Sequence, residues 1–183
     1  MAKKLQKKER LTNRLISVLI FLVVFNSLSI PLYIAVYTNF SFEPLKELNA
    51  RMVSTTFEIL GYDVFSEGST VNVILHNIPQ KIDISWDSTG WKSMYALASL
   101  IIATPISKIS RRIKFAALGI AIIFLINYLR VFTTILISVK FGFNWFDIVH
   151  TVLWREGLIL AVVGVWALWL RMEKYNFEKI KIN

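Results

Sequence analysis

The sequence contains no cysteine, only two histidines (His76 and His150), four prolines and seven glycines in 183 residues. Each scarcity closes off some chemistry. Without cysteine there is no disulfide and no thiolate metal site. The two histidines form no His-Glu-x-x-His pair, so a zinc enzyme is disfavoured and no metal or cofactor is expected. No glycine-rich loop of the kind that cradles phosphate is present. There is no internal repeat and no low-complexity segment. Acidic residues are also few, 12 against 21 Lys and Arg, for a net charge of +9. In a soluble protein such a surplus suggests nucleic acid. Here the basic residues cluster at the ends of apolar runs, which fits membrane orientation and no nucleic-acid partner.

Apolar surface is what the chain has in abundance. Hydrophobic residues make up 55% and aromatic residues 14%, with a mean hydropathy of +0.55. That exceeds an ordinary soluble domain, and the length suits one domain. Residues 1–14, MAKKLQKKERLTNR, form a basic tail with six Lys or Arg against one Glu. Residues 15–38 read as a first transmembrane helix. Its apolar run, Leu15 to Tyr37, is about 23 residues, enough to cross ~30 Å at 1.5 Å per residue. It exceeds the ~7–15 residues of a signal-peptide core, and no clean small-x-small site follows, so cleavage is disfavoured. Asn26, Ser27 and Ser29 are expected to face other helices, and Pro31 to bend the outer part.

Residues 39–87 change character, with seven acidic residues against three basic ones. They read as an extracytoplasmic insertion. Ser41 is expected to cap a helix with Pro44 in its first turn and a stop at Gly61. Leu45, Leu48, Met52, Phe57 and Leu60 give that helix an apolar side. Val71–His76 and Lys81–Trp86, rich in β-branched residues, flank Asn77-Ile78-Pro79-Gln80 and predict a β-hairpin. His76 reads as a surface strand residue. Residues 88–171 hold three more spans. The first runs from Ser88 to about Lys108, with Asp87-Ser88-Thr89 starting the helix. The second runs from about Phe115 to Val139 and contains Asn127 and Arg130, three apart on one face. The last follows the loop Lys140–Asp147, is capped by Asn144 or Asp147, carries His150 in its first turns and ends at Arg171. Gly157 and Gly164, seven apart, permit close helix packing. Residues 172–183 are a basic tail. The N-terminal tail, the loop with Lys108, Arg111, Arg112 and Lys114, and the C-terminal tail all fall on one side. The expected fold is therefore an all-α, multi-pass protein of the cell membrane. It has four transmembrane helices, both termini cytoplasmic, and a helix-plus-hairpin insertion between the first and second.

In that arrangement Ser88, Arg130 and His150 all lie toward the extracytoplasmic face. A charge inside a span is costly and marks function by default, although an arginine that snorkels to the headgroups is the bland alternative. A nucleophile at a helix N-terminus ionises more readily. A neutral histidine can take its proton and later protonate a leaving amine. An arginine can stabilise an oxyanion or hold a carboxylate. Together these suit acyl transfer on a peptide bond outside the membrane.

Asp87-Ser88-Thr89-Gly90-Trp91 opening a span, Asn127-Tyr128-Leu129-Arg130 inside the next and His150 opening the last resemble the exosortase/archaeosortase family, over roughly residues 55–171. The compact size and the Thr-Gly-Trp wording resemble its archaeosortase side. The resemblance implies a membrane-embedded cysteine transpeptidase. Such an enzyme cuts C-terminal sorting signals of secreted surface proteins and passes the new carboxyl end to a membrane lipid or other acceptor. It implies Ser88 at the nucleophile position, His150 as general base, Arg130 as oxyanion or carboxylate holder, and Asn127 as a supporting hydrogen-bonder. Asp87 either caps the helix or orients His150. The family pattern has a cysteine where Ser88 stands. Ser88 is then either an introduced, inactivating replacement or a natural serine, in a serine-type or inactive member. Two other classes compete. One is a non-enzymatic assembly factor or transporter subunit, with Arg130 paired to Glu156 or lying on a water path. The other is a hydrolase that uses Ser88 natively.

Overall fold

The computed structural model describes residues 2–75, 78–142 and 155–182. In chain order its elements are α1 (Ala2–Tyr37), α2 (Glu43–Ile59), β1 (Val64–Glu67), β2 (Thr70–Leu75), β3 (Ile78–Asp83), a single 3₁₀ turn (Trp86–Thr89), α3 (Trp91–Ala103), α4 (Ile109–Phe141) and α5 (Arg155–Ile182). The protein is mostly helical with one small sheet. Among the described residues two stretches, Leu11–Tyr37 and Ile109–Phe141, are long and apolar enough to cross a membrane. At 13 residues α3 is much shorter, about 20 Å of helix.

Two apolar cores stack end to end. In the lower one Met94, Leu97 and Ile101 of α3 pack with Ala116 and Ile123 of α4 and Leu158, Val162 and Trp169 of α5. α1 lies along α3, where the Tyr95 hydroxyl donates to the Leu28 carbonyl at 2.6 Å. Asn26, Ser27 and Ser29 do not reach across to other helices as expected. Each donates to a carbonyl of α1 itself, which satisfies a polar group without a partner helix. Gly164 is not a packing site either, since a Cβ there would meet nothing within 4 Å. The close approach comes at Gly119, where a Cβ would lie 2.8 Å from Leu97 Cδ2.

The upper core is a cap. Ala50, Val53 and Phe57 of α2 meet Val64, Val71, Val73 and Ile84 of the sheet region and Val131 and Ile135 of α4. The buried face of α2 is Asn49, Ala50, Val53, Ser54 and Phe57; of the expected apolar side Phe57 is buried and Leu45 and Met52 are half-buried, whereas Leu48 and Leu60 point outward. Small residues at 50 and 54 let the helix sit close on the sheet, which larger leucines would prevent. Ser41 does not cap this helix; the preceding residue is Phe42, which makes no side-chain cap bond. Ser41 donates instead to Glu43 at 2.9 Å. Lys46 and that hydroxyl hold the Glu43 carboxyl below its usual range.

The expected hairpin is a three-stranded antiparallel meander, β1-β2-β3. Val64 pairs with Val73, and Thr70 with Asp83. The sequence reading missed β1 because it is only four residues long and runs directly into the tight turn at Gly68. The last strand stops at Asp83 rather than Trp86, since the chain turns into the 3₁₀ helix. His76 lies outside the described residues.

At the end opposite the cap, Arg111 Nε meets Glu173 Oε1 at 2.7 Å, and Glu173 is 7% exposed. Arg112 Nη1 donates to the Ile102 carbonyl at 2.5 Å, closing the C-terminal turn of α3. These arginines therefore fasten α3, α4 and α5 together, beyond any part in orientation. Arg111→Ala is expected to destabilise the protein by about 1–3 kcal/mol, because it strands a buried carboxylate. The figure falls below that of a fully sealed pair because Arg111 is half-exposed. Glu173→Gln, which leaves no buried charge, is expected to cost less. Thermal denaturation in detergent ranks the two.

Candidate active site

The site forms where the two cores meet. Val71 and Ile82 pair in the sheet, and Ile84 N–H donates to the Ser69 carbonyl at 2.9 Å, so the end of β3 is anchored. The next residue, Ser85, adopts extended backbone (φ −63°, ψ 156°) and caps the 3₁₀ turn. Its carbonyl accepts from Ser88 N–H at 3.0 Å and its Oγ from the same N–H at 3.3 Å. The Ser85 and Ser88 hydroxyl oxygens are 2.8 Å apart. Thr89 closes the turn by donating to the Trp86 carbonyl. Ser88 is thus held on a short turn of its own, not in the first turn of α3 as the sequence suggested. Ser85 caps this turn, and α3 begins after Gly90 without a side-chain cap, so Asp87 caps neither.

Gly90 then reverses the chain into α3. Its φ is +75°, a left-handed conformation that favours glycine. A Cβ at this position would come 2.6 Å from Asn127 Cγ. Gly90→Ala combines a strained backbone with an overlap against a buried side chain. Roughly 2–4 kcal/mol of destabilisation is expected, read as a lower melting temperature together with loss of whatever activity Ser88→Cys protein shows.

Asn127 is the link across the site. It is fully buried. Its Nδ2 donates to the Ser88 carbonyl at 2.8 Å, and its Oδ1 accepts from Arg130 Nη1 at 3.3 Å. One amide therefore ties the turn carrying Ser88 to the guanidinium. Arg130 is 8% exposed, and its carbonyl accepts from Thr134 Oγ1 one turn on. Ser88, Arg130, Val131, Thr134 and Ile135 line one cleft with Ile82, Asp83 and Ile84. The cleft is small, about 30 Å³, close to what a single water needs. Arg130 is thus buried by protein, with the cap packed on α4 just beyond it, at Val131 and Ile135.

Asp87 points away from this cleft. It pairs with Lys92 Nζ at 2.7 Å, beside Trp86 and Trp91, whose rings stack at 5.1 Å. His150, Asn144 and Asp147 lie outside the described residues. Among the described residues no cluster of His, Cys, Asp or Glu is fit to hold a metal ion. Sequence reasoning brought Ser88, Asn127 and Arg130 to one place, and the structure puts them there. It missed Ser85, Gly90 and Asp83. Ser85 carried a signal, a serine three residues before the Ser88 N–H it satisfies. Asp83 carried none, being an ordinary strand residue whose carboxylate accepts from Ser69 Oγ.

A family model described as transmembrane exosortase matches residues 10–170. No curated protein and no solved structure matches the chain.

Proposed function

The chain belongs to the transmembrane exosortase family, and from that premise we propose that it is a membrane transpeptidase of cysteine type. It acts on C-terminal sorting signals of secreted surface proteins and here takes a Cys-to-Ser form that is slow or inactive. The observation that supports this reading most is the shared cleft, with Ser88 on a rigid turn and the buried Arg130 across from it, joined through Asn127. Four spans with both termini cytoplasmic would put that cleft at the extracytoplasmic face of the cell membrane, where a sorting signal emerges.

In the active form the residue-88 anion attacks the carbonyl carbon of the scissile peptide bond. Arg130 faces the developing oxyanion or the substrate carboxylate. His150 takes the nucleophile's proton and gives it to the departing amine, so the C–N bond breaks and an acyl-enzyme remains. The acceptor, a lipid in this reading, then displaces residue 88 and restores the free side chain. Asn127 holds turn and arginine in register. Asp87 has no step in this scheme, because Lys92 neutralises it outside the cleft.

The test is cleavage of a candidate sorting-signal protein in membranes, followed by mass. Ser88→Cys should cleave, and His150→Ala in that background should not. Cleavage by the serine form at the same rate would instead indicate a native serine enzyme.

A further inference from the structure

Ser85 contributes more to the turn than a cap requires. A cap needs only an oxygen that accepts from a backbone N–H, and the Ser85 carbonyl and Oγ both accept from Ser88 N–H. A hydroxyl has one hydrogen and two acceptor positions. With one acceptor position of Oγ turned to that N–H, its hydrogen remains to be given, and Ser88 Oγ lies 2.8 Å away. The backbone leading into Ser85 is anchored, since the buried Ile84 before it is bonded to Ser69, while the Ser85 side chain is exposed.

We infer that Ser85 is a hydrogen-bond donor to the anion at residue 88, favouring the ionised nucleophile. This rests on the assignment of residue 88 as nucleophile. The proton that leaves residue 88 goes to the base; the Ser85 hydrogen stays on its own oxygen. A donor that bonds the anion lowers the pKa of the group.

The chain holds no cysteine, so Ser88→Cys creates a single thiol whose ionisation can be read without any substrate. The experiment is alkylation of the full-length Ser88→Cys protein by iodoacetamide across pH, in membranes. The midpoint reports ionisation, and the high-pH plateau reports access. Adding Ser85→Ala is expected to move the midpoint up by about one pH unit, roughly tenfold less thiolate at neutral pH, with an unchanged plateau. Adding Ser85→Thr, which keeps the hydroxyl, is expected to leave both where they were. An unmoved midpoint in Ser85→Ala overturns the inference. So does an equal shift in Ser85→Thr, or a shift accompanied by a changed plateau, since either would mark a turn that has merely opened. Because no cleavage is measured, these outcomes stand apart from those that decide the transpeptidase reading.

Discussion

Replacing Ser88 with cysteine is expected to raise the rate of sorting-signal cleavage on the order of 10²–10⁴-fold, the range spanned by one general-base contribution. A thiol is a few per cent ionised near neutral pH, with a pKa near ~8.5, so it attacks without waiting for a strong base. A serine hydroxyl needs proton removal in the same step as attack. The Ser88 hydroxyl meets another hydroxyl, that of Ser85, which is no base. The turn should accept the substitution. Ser88 is half-buried at the cleft edge, and its backbone N–H and carbonyl are held by Ser85 and Asn127 whichever side chain it carries. The measurement is the rate of product formation by mass in matched membranes. Equal rates for the two forms would mean that the chain's own serine is competent.

In the Ser88→Cys background, Arg130→Ala is expected to lower the cleavage rate by about 10²–10³-fold, as for loss of one preorganised donor to a developing oxyanion. Arg130→Lys should recover little of it. The guanidinium offers a planar fork that can hold Asn127 with one arm and substrate with another, whereas an ammonium is a point charge on a flexible stem. The kinetic form of the loss separates two roles. A fall in kcat with KM unchanged marks an oxyanion donor; a rise in KM with kcat unchanged marks a holder of the substrate carboxylate. The variant should still fold, because the Asn127 bond to the Ser88 carbonyl does not depend on the arginine. An unchanged melting temperature would show that the variant remains assembled. An undiminished cleavage rate would remove Arg130 from the chemistry.

The helices and the meeting of Ser88, Asn127 and Arg130 were legible because hydropathy and helical spacing are local signals. Asn127 and Arg130 had to share a face, and a buried arginine had to answer to something. The family was legible because its motifs kept their order and spacing. What stayed hidden was set by tertiary contact. The buried side of α2 follows from which residues are small enough to approach the sheet, not from where the leucines fall. β1 was too short to show its alternation. The 3₁₀ turn exists because Ser85 can bond back to Ser88 and Gly90 can take a positive φ. From the sequence alone the same residues read as an ordinary helix start. What surrounds Arg130 stayed hidden for a related reason. A continuous apolar helix reads as one span, and nothing local marks the level at which the cap takes over as its surroundings.

That changeover gives α4 two masters. It is one unbroken rod of 33 residues, about 50 Å long. Its lower part is gripped by α3 and α5 and its upper part by the cap, with Asn127 and Arg130 at the fulcrum between them. A bilayer too thin or too thick for the lower bundle makes helices tilt. Here a tilt would swing the guanidinium against a turn fixed to the sheet. By that route the thickness of the surrounding lipid would bear on the separation of residue 88 and the guanidinium.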